Sequence, residues 1–326
     1  MISRRGAIAA LGAGLAAQPL ATRAQQPGRT YRLGWIGATL RTETYNIAFV
    51  ERLRELGFVE GKNLAIEFRS SRGRADTLPE LATELARLSC DVIFAPGSEA
   101  TLQAVKAATR ELPIVIVSAD YDPVATGHVA GLARPGGRIT GVSMLQTELP
   151  AKRLQVLKEL LPKARRIGVL ADGWTAGQLQ ITRDAAVTLG LSLVVHEFKA
   201  TPYDFSAAFA TFVRGRAEAI VSLGSSFFVS ARQLIPQLAL QHRLPSVFQN
   251  GVWADNGGLL SYGPSFAATY QRAAEQVAKI LTGVKPGEIP IEQPNIVEMV
   301  INLPTAKALG VVIPHALRLR ADRLIE

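Results

Sequence analysis

The strongest constraint on this chain of 326 residues is an alternation that occurs twice: short β-rich apolar runs, each followed by a stretch with helical periodicity. Tyr31–Gly37 (YRLGWIG) predicts a strand, and Phe49, Leu53 and Leu56 predict a helix that ends at Gly57, which can adopt the left-handed conformation of a helix terminus. Strands are expected at Leu64–Phe68, Asp91–Ala95 and Pro113–Val117. Leu78, Leu81, Leu85 and Leu88 mark one helix between them, and Ser98–Thr109 another. The second half predicts strands at Arg166–Leu170, Leu193–Glu197, Ala219–Leu223 and Ser246–Phe248, with helices near 175–189, 204–214 and 227–242. Continuous apolar strands separated by helices belong to parallel sheets covered on both faces, so the expected class is α/β.

The halves also echo each other. Leu33-Gly-Trp-Ile36 parallels Ile167-Gly-Val-Leu170, Asp91 to Ser98 parallels Glu218 to Ser225, and Leu112 to Ser118 parallels Leu244 to Asn250, all in the same order. Two copies of one doubly wound lobe account for this. The length agrees with two domains at about 150 residues each, and 48% hydrophobic against 19% charged residues is enough apolar material for two cores.

Several chemistries are excluded by what the chain carries. A single cysteine, Cys90, cannot form an intramolecular disulfide and reads as a packed thiol, while the four histidines have no metal-ligand spacing. Trp35 reads as core. No GxSxG, P-loop or paired Cys and His motif occurs after the leader, so neither an enzyme, a cofactor nor a metal ion is expected. Gly12 to Ala17 fits GxGxxA, but an arginine pair rather than a strand precedes it, which removes the context a nucleotide loop needs.

Residues 1–24 read as a secretory leader. Ser3-Arg4-Arg5 is a basic start, Ala7–Ala17 an apolar run, and Thr22-Arg23-Ala24 a small-residue site, so cleavage is expected after Ala24. The uncharged stretch is short and rich in Gly and Ala for a membrane span, and a soluble periplasmic chain is expected. The formal charge of +9 falls to +6 without Arg4, Arg5 and Arg23. The remaining basic residues are scattered, which argues against a nucleic-acid partner.

Ligands of such sheets bind beyond the strand carboxyl ends, where loops become helix N-termini. Gly97-Ser98 and Gly224-Ser225 each combine a turn with a capping hydroxyl there, either as ordinary caps or as holders of an anionic group. Asp120 follows the fourth strand and could pair with a ligand ammonium; Asp122 before Pro123 reads as a helix cap. Trp174, in the loop Ala171-Asp172-Gly173-Trp174, and Phe227 lie on the same side and could stack on a planar ligand or pack beneath the loops.

Gly57-Phe-Val-Glu-Gly-Lys-Asn63-Leu, Arg134-Pro-Gly-Gly137 with Ile139-Thr-Gly-Val-Ser143, Gly258 to Gly263, Ile301 to Gly310 and Arg320 to Glu326 carry a family likeness. On them the chain resembles the substrate-binding proteins of ABC transporters of the tryptophan/tyrosine type. The resemblance implies a type I periplasmic-binding-protein fold, two doubly wound parallel-sheet lobes joined by a three-crossing hinge. Lobe 1 would comprise 31–143 and 262–289, and lobe 2 144–261 and 290–326. Crossings are expected near Val142 to Leu145, Gly258 to Gly263 and Pro286 to Pro294. The expected ligand-binding set is Gly97, Ser98, Asp120, Tyr121, Ser143, Asp172, Trp174, Gly224, Ser225, Phe227 and Asn250. The implied function is capture of a small solute, an amino acid or an aromatic or carboxylate compound, by a monomer that hands it to separate ABC permease subunits at the inner membrane. Family members often carry Asn-Pro-Asn-like loops where this chain has Asp172-Gly173-Trp174, and Gly-Asp-Pro where it has Asp120-Tyr121-Asp122-Pro123, so the solute is left open. A solute sensor for a membrane receptor would look the same, and a periplasmic enzyme is a more distant alternative. A cytoplasmic repressor of this fold would begin with a DNA-binding head in place of the leader.

Overall fold

The computed structural model describes residues 28–144, 149–294 and 296–326. The leader expected over residues 1–24, and Leu145 at the end of the first expected crossing, lie outside the described residues.

The first lobe is built on β1 (Tyr31–Gly37), β2 (Leu64–Ser70), β3 (Val92–Gly97), β4 (Ile114–Ser118) and β5 (Ile139–Ser143), with α1 (Thr44–Glu55), α2 (Leu78–Arg87) and α3 (Glu99–Ala108) between them. Its strands are all parallel, in the order β2-β1-β3-β4-β5. Strand β4 is buried at every position, as an unbroken Ile-Val-Ile-Val run in a sheet covered on both faces must be. Helix α2 buries Leu78, Ala82 and Leu85, one stripe at helical spacing, against that sheet. Gly57, at φ 88°, closes α1 as expected.

The second lobe begins with α4 (Pro150–Leu160) and runs through β6 (Arg166–Asp172), α5 (Ala176–Thr188), β7 (Ser192–Phe198), α6 (Phe205–Arg214) and β8 (Ala219–Ser222). It continues with α7 (Ser226–Val229), α8 (Leu234–Gln241), β9 (Ser246–Phe248), α9 (Gly251–Asp255) and β10 (Leu260–Pro264). Helix α10 (Phe266–Leu281) then returns to the first lobe, where Tyr270, Ala273 and Val277 join Trp35, Phe49 and Phe94 in one core. The chain ends in the second lobe with β11 (Val297–Asn302), α11 (Leu303–Leu309), α12 (His315–Arg320) and β12 (Arg323–Ile325). The second sheet has the order β12-β11-β10-β9-β8-β6-β7, so its first five strands in the chain repeat the permutation of the first sheet. The three sequence echoes fall on β1 and β6, β3 and β8, and β4 and β9.

Three local readings are corrected. The segments expected as crossings at Val142 and at Gly258–Gly263 belong largely to strands, β5 and β10, and the chain changes lobe just after each. Their glycines serve close approach: a Cβ on Gly141, at φ 153°, would collide with the Ile116 carbonyl, and one on Gly263 with the Gln249 carbonyl. The helix expected over 227–242 is broken into α7 and α8, because Pro236 fits only within the first turn of a new helix. The second sheet is not wholly parallel, since β11 pairs antiparallel with β10. The third passage runs beside β5 almost as an added strand: Glu292 N–H donates to the Gly141 carbonyl (3.0 Å) and Ser143 N–H to the Glu292 carbonyl (2.8 Å).

Candidate functional site

The carboxyl ends of β3 and β4 face those of β8 and β9, where doubly wound sheets bind ligands. Between them lies a small cavity of about 50 Å³. Gly97, Ala119 and Met144 of the first lobe and Gly224, Ser225 and Asn250 of the second line it. Its aromatic wall comes from Tyr45 on α1 and Phe266 and Tyr270 on α10, with Trp253 opposite. Tyr45 stands edge-on to both Phe266 (5.2 Å) and Tyr270 (4.9 Å), a geometry that leaves little freedom to these rings. The cleft is closed: Arg232 is ion-paired with Glu43 across it, and Phe227 is packed with Tyr121 in the core of the first lobe.

Polar atoms at the cavity are unevenly satisfied. Gln249 is 2% exposed, and its Nε2 donates to the Leu223 carbonyl and to Ser222 Oγ (3.0 Å), which fixes the amide orientation. Its Oε1 therefore points away from those partners and accepts no hydrogen bond. Asn250 Oδ1 and Asp120 Oδ2 are likewise buried acceptors without a donor, and the hydroxyls of Ser226 and Tyr121 have no partner. Leaving such a group buried and unmatched costs about 1–3 kcal/mol. Native chains carry few of them, so a cluster beside one cleft marks groups shaped for a donor-rich ligand.

Two buried acids from facing lobes adjoin lining residues: Asp120 follows Ala119, and Asp172 is hydrogen-bonded to Ser225. Asp120 Oδ1 accepts from Glu99 N–H (3.0 Å) at the start of α3. Asp172 at the end of β6 is better supported, accepting from Ser225 Oγ (2.5 Å), Tyr203 Oη (3.1 Å) and Trp174 N–H (3.1 Å). Burial pushes the Asp120 carboxyl well above the usual carboxylate range; the Glu99 N–H opposes this, and the charges of Asp172 and Glu99 add to it. Burial also raises Asp172, against the pull of its hydrogen bonds. Tyr203 is pushed up by burial and by the neighbouring Asp172. Among the described residues, no lysine, arginine or histidine forms an ion pair with either aspartate.

The expected binding residues fall into three groups. Gly97, Gly224, Ser225 and Asn250 line the cavity. Asp120, Tyr121 and Asp172 are buried but are not among its lining residues. Ser98, Ser143, Trp174 and Phe227 are placed otherwise. Ser98 Oγ is occupied as the cap of α3, accepting from Thr101 N–H, and Ser143 ends β5 alongside the hinge. Phe227 is packed in the first lobe's core with Trp174 against it, their rings 6.4 Å apart. Sequence reasoning did not single out Thr39, Tyr45, Gln249, Phe266 or Tyr270. Gln249 had a usable signal in its place at the end of β9; the others reach the cavity through tertiary packing. Gln178 was also missed, and its side-chain amide fixes the Gly224 backbone, accepting from its N–H (2.8 Å) and donating to its carbonyl (3.2 Å).

Residues 43–325 match the family of ABC transporter substrate binding proteins. The chain belongs to that family. A tyrosine-binding protein of Clostridioides difficile (strain R20291) is 28% identical over 265 residues, which cover 80% of this chain and 75% of the relative. A conserved domain protein from Vibrio cholerae O1 biovar El Tor superposes with a TM-score of 0.82 at 25% identity, over 91% of this chain and all of that one. The ABC domain in complex with L-Trp from Streptococcus pneumoniae gives a TM-score of 0.77 at 19% identity over the same shares. The fold of this substrate-binding protein is thus the type I periplasmic-binding-protein fold, two α/β lobes around a cleft. No described helix is long and apolar enough to cross a membrane, and no group of three or more metal-ligating side chains occurs among the described residues.

Proposed function

We propose that this substrate-binding protein captures a small solute bearing a primary ammonium group and an aromatic body, of the aromatic amino acid class, and presents it to ABC permease subunits. The observation that carries this reading is the trio of buried acceptors, Gln249 Oε1, Asn250 Oδ1 and Asp120 Oδ2, none of which has a donor. An ammonium brings three N–H donors and a positive charge that Asp120 and Asp172 favour. Tyr45, Tyr270 and Trp253 offer ring faces and edges to an aromatic body. The neutral hydroxyl of Ser226 is available to a solute carboxylate. The names of two similar proteins, one tyrosine-binding and one solved with L-Trp, support the same class.

The protein works as a monomer in the periplasm after losing residues 1–24, and its role is capture without chemistry. The two lobes separate to admit the solute and close on it, and the permease reads the closed form. The test is calorimetry on chain stripped of carried-over solute by unfolding and refolding. L-tyrosine or L-tryptophan should bind at micromolar strength, about −8 kcal/mol. Failure of both, with binding of a sugar or a simple carboxylate, would assign the cleft to another class.

A further inference from the structure

We propose that Asp120 carries a proton while the cleft lacks solute, and that an ammonium group entering beside it takes that proton's place, so that each solute captured releases one proton. The inference rests on the ammonium reading above. The neutral carboxylic acid of Asp120 loses its O–H proton and becomes a carboxylate paired with the solute's ammonium, which keeps all three of its own protons. The freed proton passes to water, so atoms and charge balance.

Four titratable groups surround Asp120. From α3 comes Glu99, from β6 Asp172, from the turn ahead of α6 Tyr203, and next along the chain Tyr121. All are acidic or neutral. The basic groups at Glu99 are already engaged: Lys106 Nζ lies 2.9 Å from His128 Nδ1, and His128 Nε2 lies 2.9 Å from Glu99 Oε1. That chain compensates Glu99 and leaves nothing for Asp120. Three donors hold Asp172, whereas Asp120 has one, on Oδ1, and a bare Oδ2. Of the two acids, Asp172 therefore keeps the charge and Asp120 the proton. An unpartnered neutral hydroxyl at Oδ2 costs far less in a buried site than an unpartnered charge. The direction of the carboxyl's displacement, upward and mainly through burial, agrees.

An ammonium reverses that balance, because the opposite charge at hydrogen-bond distance favours the carboxylate. Binding is then linked to pH: affinity falls by about tenfold per pH unit below the retained proton's titration. Neutral analogues lacking the amine gain nothing from that exchange.

Two measurements on the full mature chain decide the matter. Carboxyl carbon-13 NMR of aspartate-labelled, solute-stripped protein should show one aspartate still protonated at a pH where the others are ionised. That signal should vanish in Asp120→Asn and persist in Asp172→Asn. If every aspartate of the wild type titrates in the ordinary range, the proposal is overturned, whatever the variants do. Calorimetry with L-tyrosine in buffers of different ionisation heat should show release of about one proton per molecule bound. Tight binding with no buffer dependence overturns the exchange and leaves the ammonium reading standing. If neither L-tyrosine nor L-tryptophan binds at any pH, the exchange falls with the reading beneath it, while the carboxyl titration still reports on the proton.

Discussion

Arg232, in the turn between α7 and α8, is ion-paired with Glu43 at the head of α1, so one bond joins the lobes at the mouth of the cleft. Their side chains are only 17% and 13% exposed. An ion pair this sheltered resists screening by salt better than a surface pair, and loss of one partner leaves a half-buried charge alone.

Arg232→Ala should therefore favour the open form. Small-angle scattering of the variant without solute should give a larger radius of gyration than the wild type. Solute should leave faster, with affinity weakened by about 1–2 kcal/mol. Unchanged scattering and unchanged release would show that the pair has no part in closure.

Gln249→Met removes an acceptor whose partner must come from the solute, at similar volume. It also removes one donor from the Leu223 carbonyl, which still accepts from Ser225 N–H (2.9 Å), so some stability is lost. The prediction is a drop in affinity of about 1–3 kcal/mol for an ammonium-bearing solute. Asn250→Ala gives an independent reading of the same effect, because its side chain supports no described backbone group. Calorimetry well below the melting temperature separates the two contributions.

The raised Asp120 carboxyl has a consequence for stability without solute. A group whose folded-state pKa lies above its unfolded value stabilises the fold only at low pH. As pH rises through the unfolded carboxylate range, about 3.9, the unfolded chain ionises first and stability falls, until the folded group ionises too. Asp120→Asn keeps the acceptor for Glu99 N–H and removes this loss. Its melting temperature should match the wild type near pH 4 and exceed it at neutral pH. A variant less stable than the wild type at neutral pH would contradict the assignment.

Gly263 tests the fold rather than the solute. A methyl group there would overlap the Gln249 carbonyl, with Arg153 Nη2 about 3.1 Å away on the other side. Arg153 is itself buried, which pushes its guanidinium down to about 9, and it donates to the Tyr262 carbonyl (2.9 Å). Gly263→Ala should cost at least about 2 kcal/mol, read as a lower denaturation midpoint with an unchanged slope.

Most strands were legible because a buried parallel strand needs an uninterrupted β-rich run, as Ile114 to Val117 shows. Strands β5 and β10 were not, since Gly141 interrupts the first run and Gly263, inside an expected crossing, reads as a hinge residue until the packing against Ile116 and Gln249 is seen. The cavity was legible where it follows strand ends, at Gly97, Gly224, Ser225 and Asn250. Tyr45 and Tyr270 lie more than 200 residues apart and meet only because α10 crosses back onto α1, which no local pattern records. Ser98 illustrates the opposite limit: a strand-end hydroxyl looks the same in sequence whether it caps a helix or meets a solute.

The most direct test of the ammonium reading compares solutes that differ only in the amine. Titration calorimetry of the stripped chain with L-tryptophan and with indole-3-propionate, and with L-tyrosine and its des-amino analogue, isolates the contribution of that group. The amino acid of at least one pair should bind at micromolar strength and its analogue at least about 100-fold more weakly, since the loss strands several buried acceptors. Equal affinity within both pairs, or tighter binding of the amine-free partner, would contradict the account.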